Sequence, residues 1–127
     1  MKKMIIVLGL SLVMLIGCSN KQSEELQVLT AQEAKAIIDD EEYDVILDVR
    51  TIEEYNEGHI EHAILLPDYE IESKIEEVIS DKDARILIYC RSGRRSNNAA
   101  NKLVDLGYTH VYDFGGIIDW PYATVKE

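Results

Sequence analysis

Thiols, positive charge and long apolar runs are all scarce in this sequence, and each scarcity removes a class of protein. Only Cys18 and Cys90 carry thiols, and no Cys-x-x-Cys redox pair is present. The three histidines, His59, His62 and His110, are scattered and do not suggest a metal site. Lysine and arginine number 13 against 24 acids, a net charge of −11. A surface this acidic repels nucleic acid and anionic lipid headgroups, so nucleic acid is not an expected partner. The apolar run from Met4 to Ile16 is shorter than the roughly 20 residues of a transmembrane helix. Neither an internal repeat nor a low-complexity stretch occurs, and 127 residues is a one-domain length.

What is present starts with Met1-Lys2-Lys3, the apolar run, and Gly17-Cys18. A basic start, a short apolar region and a small residue before the cut make a secretory signal. Leu15-Ile16-Gly17-Cys18 resembles the lipobox of bacterial lipoproteins, which implies a thioether-linked lipid on Cys18. An ordinary signal peptide with a chance cysteine is the plainer alternative. Residues 1–17 then form the signal, and 18–29 the lipidated cysteine and a polar tether that opens Ser19-Asn20-Lys21-Gln22. Residues 30–125 form the domain. Cleavage removes Lys2 and Lys3 and no acid, taking the charge from −11 to −13. The lipid, not charge, would hold the protein to the outer face of a bacterial membrane. Cys90 is then the only free thiol. A lone thiol kept outside the cytoplasm suggests use, although buried structural cysteines are common and inert.

Two apolar runs, 44–49 and 85–89, show little alternation and suit strands buried on both faces of a parallel sheet. Residues 63–66 and 110–114 are shorter candidates, and 26–29 suits an edge strand. Helices fall between them. Thr30 and Glu33 fit a capping box, with Ala34, Ile37 and Ile38 on the apolar face that follows. Residues 51–57 predict a short helix ended by Gly58. Residues 69–80 carry Ile71, Ile75, Val78 and Ile79 at helical spacing. Residues 94–106 carry Ala99, Ala100, Leu103 and Val104, with Gly107 at the C′ position. The alternation of strand and helix predicts an α/β fold: a central, mostly parallel sheet with helices on both faces, whose ligands sit at the carboxyl ends of the strands.

Cys90 closes the 85–89 run and opens Cys90-Arg91-Ser92-Gly93-Arg94-Arg95-Ser96, after which a helix begins. Such a strand–loop–helix turn aims successive backbone N–H groups at an anion. Gly93 permits the tight turn. The helix N-terminus and the three arginines favour a thiolate, the nucleophilic form of cysteine. The bland alternative is an ordinary βα turn in which Cys90 fills space.

Four blocks in order resemble the rhodanese-like domain family, from about Thr30 to Tyr122. They are Leu47-Asp48-Val49-Arg50; Glu54 to Ile60 followed by Ala63 and Pro67; the Cys90–Ser96 loop; and Gly115-Gly116 with Trp120. The resemblance implies a sulfurtransferase that carries a persulfide on Cys90, with no cofactor and no metal. Its partners would be a small anionic donor such as thiosulfate and a thiophilic acceptor, either cyanide or a partner protein thiol. Loop amides from Arg91 to Ser96 would cradle the sulfur. Arg91 and Arg94 would attract the donor, and Arg95 would brace the loop. Asp48 and Arg50 would support the site or form a plain ion pair. His59 matches the family's Gly-His-Ile, with a structural hydrogen bond as its simpler role. Trp120 and Tyr122 suit core or rim positions. One departure is local: Glu61-His62-Ala63 stands where family members often have Pro-Gly-Ala. Two rivals remain: a phosphatase or arsenate reductase, whose loops run Cys-x5-Arg against Cys-x4-Arg here, and a non-catalytic interaction module, which often lacks the cysteine.

Overall fold

The computed structural model describes residues 25–126, so the signal, Cys18 and most of the tether lie outside the described residues. The elements are β1 (Leu26–Val28), α1 (Ala31–Asp39), β2 (Val45–Asp48), α2 (Ile52–Glu57), β3 (Ile64–Leu65), α3 (Ile71–Val78), β4 (Arg85–Cys90), α4 (Arg94–Asp105) and β5 (His110–Gly116). Short 3-10 turns cover Asp68–Glu70 and Ile117–Asp119. One five-stranded sheet runs in the order β1-β5-β4-β2-β3. Every neighbouring pair is parallel.

The long apolar runs became the central strands because only there are both faces covered. β4 is buried from Ile86 to Cys90, and β2 from Ile46 to Asp48. On one face, α3 and α4 press Ile71, Ile75, Ala99, Ala100 and Leu103 against Leu47, Ile86 and Ile88. On the other, Ala34 of α1 packs with Ile46, Leu87, Tyr89 and Phe114. Each such fully buried Leu or Ile contributes about 1.5–3 kcal/mol. The α1 capping box forms as its sequence requires: the Glu33 N–H donates to Thr30 Oγ1 at 3.1 Å, and the Thr30 N–H donates to Glu33 Oε1 at 2.9 Å.

The edge strand expected over 26–29 forms as Leu26–Val28, paired with Val111 to Asp113, so the folded unit begins inside the stretch assigned to the tether. Two other details differ from expectation. The helix expected over 69–80 begins with a 3-10 turn and ends at Val78. Val78 is 41% exposed, because the chain turns extended at Ile79 and buries that side chain instead. At the family's Pro-Gly-Ala position, His62 adopts φ 74° in a turn closed by the Ala63 N–H on the Ile60 carbonyl at 3.0 Å. The turn survives without glycine, at a cost in backbone strain.

Candidate active site

β4 lies at the centre of the sheet and delivers Cys90 to its carboxyl end. The register sets Cys90 opposite Gly116 of β5, after an irregularity between Ile88 and Cys90. Cys90 is a free cysteine and fully buried. Gly93 takes φ 104° and folds the loop back, so that its N–H donates to Cys90 Sγ at 3.0 Å. α4 then starts at Arg94, and no side chain caps it. Its first intrahelical bond is the Asn97 N–H to the Gly93 carbonyl at 3.1 Å. The amides of Arg94, Arg95 and Ser96 therefore find no acceptor inside the helix, and they carry the partial positive charge of its N-terminus.

Several groups hold this loop, and sequence reading missed most of them. Gly116 accepts the loop backbone: a Cβ there would lie 2.1 Å from the Arg91 carbonyl oxygen. The Ile118 N–H donates to that same oxygen at 3.2 Å. Asp113, 3% exposed, accepts from Ser96 Oγ at 2.7 Å and from the Gly115 N–H at 3.0 Å. Its only sequence signal was a carboxylate inside an apolar strand. Ser96 thus ties α4 to β5 through its hydroxyl. Arg95 grips Glu54 through two bonds of 2.8 and 2.9 Å. Glu54 also serves the α2 capping box, accepting from the Thr51 N–H at 3.1 Å. The Arg95 hydrogen bonds hold the Glu54 carboxyl down at about 2. Arg95 therefore braces the loop, whereas Arg91 and Arg94 are exposed and have no ion-pair partner among the described residues.

Asp48 and Arg50 form a buried pair, with Arg50 Nη2 at 2.7 Å from Asp48 Oδ2. Arg50 Nη2 also donates to the Gly58 carbonyl at 2.8 Å. The Tyr89 hydroxyl donates to Asp48 Oδ2 at 2.6 Å and accepts from the Ile60 N–H at 3.1 Å. Burial, then Asp48, raises the Tyr89 phenol far above the ordinary range, so it stays a donor. This network ties β2 and β4 to the loop after α2. His59 is buried, stacks on Tyr55 at 3.7 Å, and sets its Nδ1 3.0 Å from the Tyr55 carbonyl. Its backbone pairs with Val125. The backbone pairing anchors the chain's last described segment. Among the described residues no group of three or more His, Cys, Asp or Glu is arranged to hold a metal ion.

Fold and site define a class: a parallel α/β domain that sets one cysteine beneath an uncapped helix N-terminus, in a Cys-x4-Arg loop. The rhodanese-like domain description matches residues 30–121, and the chain belongs to that family. It is 38% identical over 80 residues to the thiosulfate sulfurtransferase PspE of Escherichia coli (strain K12), which covers 63% of this chain and 77% of that protein. Among solved structures, a rhodanese with anions from E. coli superimposes with a TM-score of 0.61 at 36% identity, covering 65% of this chain and 98% of that one. A rhodanese-related protein from Thermoplasma volcanium gives a TM-score of 0.70 at 29% identity, over 80% and 99% of the two chains.

Proposed function

We propose that this chain is a thiosulfate-type sulfurtransferase that works through a persulfide on Cys90. The observation that carries the reading is the Gly93 N–H on Cys90 Sγ at 3.0 Å, at the mouth of a helix N-terminus that no side chain caps. The Cys90 thiolate attacks the outer sulfur of thiosulfate. The S–S bond of the donor breaks, its electron pair leaves on sulfite, and the sulfane sulfur stays on Cys90 with its negative charge. Sulfur, charge and electrons balance without an oxidant. The N-terminal amides of α4 stabilise that charge. Arg91 and Arg94 draw in the dianion, which an acidic protein otherwise repels. Similarity to PspE and to a rhodanese holding anions supports the same reading.

Intact mass spectrometry tests it. Thiosulfate should add one sulfur atom to the wild type and none to Cys90→Ala, and cyanide should remove the adduct. An adduct that persists in Cys90→Ala refutes the site. Faster turnover of an aryl phosphate than of thiosulfate would favour an oxyanion hydrolase, which Arg95's commitment to Glu54 argues against.

We also propose that Cys18 carries lipid and holds the domain on the outer face of a bacterial membrane. The Lys2-Lys3 start, the short apolar run and Leu15-Ile16-Gly17-Cys18 support this. Labelled fatty acid should enter the wild type and not Cys18→Ser; equal labelling of both would sink the idea.

A further inference from the structure

We propose that a cleft beside the Cys90 loop is the acceptor site, and that it selects a small zwitterionic thiol, one bearing both a carboxylate and an ammonium group. The proposal rests on the persulfide reading above. The cleft measures about 410 Å³, within the size range of small-molecule sites. Arg91 and Ile118 form part of its wall. Arg91 directly follows Cys90, and Ile118 stands two residues past Gly116, the partner of Cys90 in the sheet. The cleft therefore opens next to the sulfur-bearing loop.

Its charges decide the ligand. Four ionised side chains line it: Arg50, Glu54, Glu57 and Arg91. Arg50 is neutralised by Asp48, and Glu54 by Arg95. Arg91 and Glu57 are exposed and have no ion-pair partner among the described residues. One cation and one anion remain. A dianionic donor gains nothing from Glu57, and a neutral acceptor gains nothing from either. A molecule with one charge of each sign is the complement. Ile118, 59% exposed, and the Trp120 ring supply an apolar surface for its carbon atoms. Trp120 Nε1 is buried and has no hydrogen-bond partner among the described residues. Such an orphaned donor is unusual.

In the transfer step the acceptor thiolate attacks the outer sulfur of the Cys90 persulfide. A new S–S bond forms on the acceptor, the bond to Cys90 Sγ breaks, and its electron pair returns Cys90 to thiolate. The product is the acceptor's own persulfide.

Trp120 is the only tryptophan of the chain, so its emission reports on the cleft without any sulfur chemistry. S-methylcysteine is zwitterionic and cannot accept sulfur. It should shift Trp120 emission saturably. 3-(Methylthio)propionate and 2-(methylthio)ethylamine, each with one charge, should bind about fivefold more weakly, the size of one exposed ion pair. Glu57→Gln should bring S-methylcysteine down to the level of the carboxylate alone. This change sits at the end of α2, where a negative charge adds nothing to the helix, so the fold should tolerate it. The second arm loads the protein with thiosulfate and follows discharge at matched thiolate concentration. Cysteine should discharge it faster than 3-mercaptopropionate or cysteamine, and Glu57→Gln should erase that advantage. If neither the titration nor the discharge separates the zwitterion from its single-charge analogues, the inference is overturned and the persulfide reading stands. If S-methylcysteine titrates Trp120 selectively but thiosulfate never loads Cys90, the site stands and the sulfurtransferase reading falls.

Discussion

Two helices that begin at the same end of the sheet are built in opposite ways. α2 starts at Thr51 with a full capping box: the Glu54 N–H donates to Thr51 Oγ1 at 3.2 Å, and Glu54 answers the Thr51 N–H. α4 is twice as long and starts at Gly93 with no side-chain cap. Intrinsic preference favours Ser, Asp or Asn at that position, by a few tenths of a kcal/mol over glycine. The closed terminus is complete without help. The open one leaves its first amides unpaired beside the Cys90 loop, where the proposed anion would complete it. The residue joining the two is Glu54, which caps α2 and, through Arg95, holds the first turn of α4. A local rule is obeyed where only stability is at stake and left unmet where a ligand belongs.

The contrast breaks most severely at Gly116. Gly116→Ala puts a methyl group where the Arg91 carbonyl lies, 2.1 Å away. The backbone of the loop must move, which should cost about 3 kcal/mol, the upper end of overpacking effects, and should abolish persulfide formation. Denaturant unfolding and intact mass check the two halves. A stable, active Gly116→Ala would show that the loop has more than one working arrangement.

Arg95→Met tests the link between the helices. It should cost about 1–2 kcal/mol, the value of charged hydrogen bonds in a partly buried bidentate pair, and should slow sulfur loading. The pH dependence has a definite sign. The Glu54 carboxyl is depressed from 4.5 to about 2 in the folded state. Its contribution is therefore fully present above pH 4.5 and lost as pH falls through 2. The stability gap between wild type and Arg95→Met should be constant above pH 4.5 and narrow below it. A gap that widened on acidification would remove Glu54 as the partner that matters.

Thr51→Ala should cost about 1 kcal/mol and leave sulfur loading intact. Thiosulfate or sulfite should raise the Tm of wild type and Thr51→Ala by the same increment, because the ligand caps α4 and not α2. Unequal increments would mean that anions also bind at α2.

How much of this was legible in the sequence follows from distance along the chain. The Cys90–Ser96 turn, the Thr30–Glu33 box and the apolar central strands are local patterns, and local patterns can be read directly. The supports of the loop are not local. Glu54 meets Arg95 across 41 positions, and Asp113 meets Ser96 across 17. Spacing cannot announce such pairs, because only the parallel register brings β5 beside β4 and the α2 start beside the α4 start. Val78 failed for a different reason: helical spacing assumed a helix that continues, and the chain left it at Ile79.

His62 sharpens the comparison, because it also breaks a local rule yet stands apart from the loop. Its φ of 74° lies in the left-handed region, where a side chain costs about 1–2 kcal/mol. Glycine removes that strain but loses more backbone entropy on folding, by roughly 0.5–1 kcal/mol. The net expectation for His62→Gly is a gain of about 0.5 kcal/mol. The side chain is exposed, so little packing is lost. If unmet local rules mark function only at the loop, sulfur loading by His62→Gly should match wild type while the denaturation midpoint rises. A stabilised variant that loads sulfur more slowly would show that strain at this turn also serves the reaction. Open amides around Cys90 would then be only one of two places where the domain gives up stability for activity.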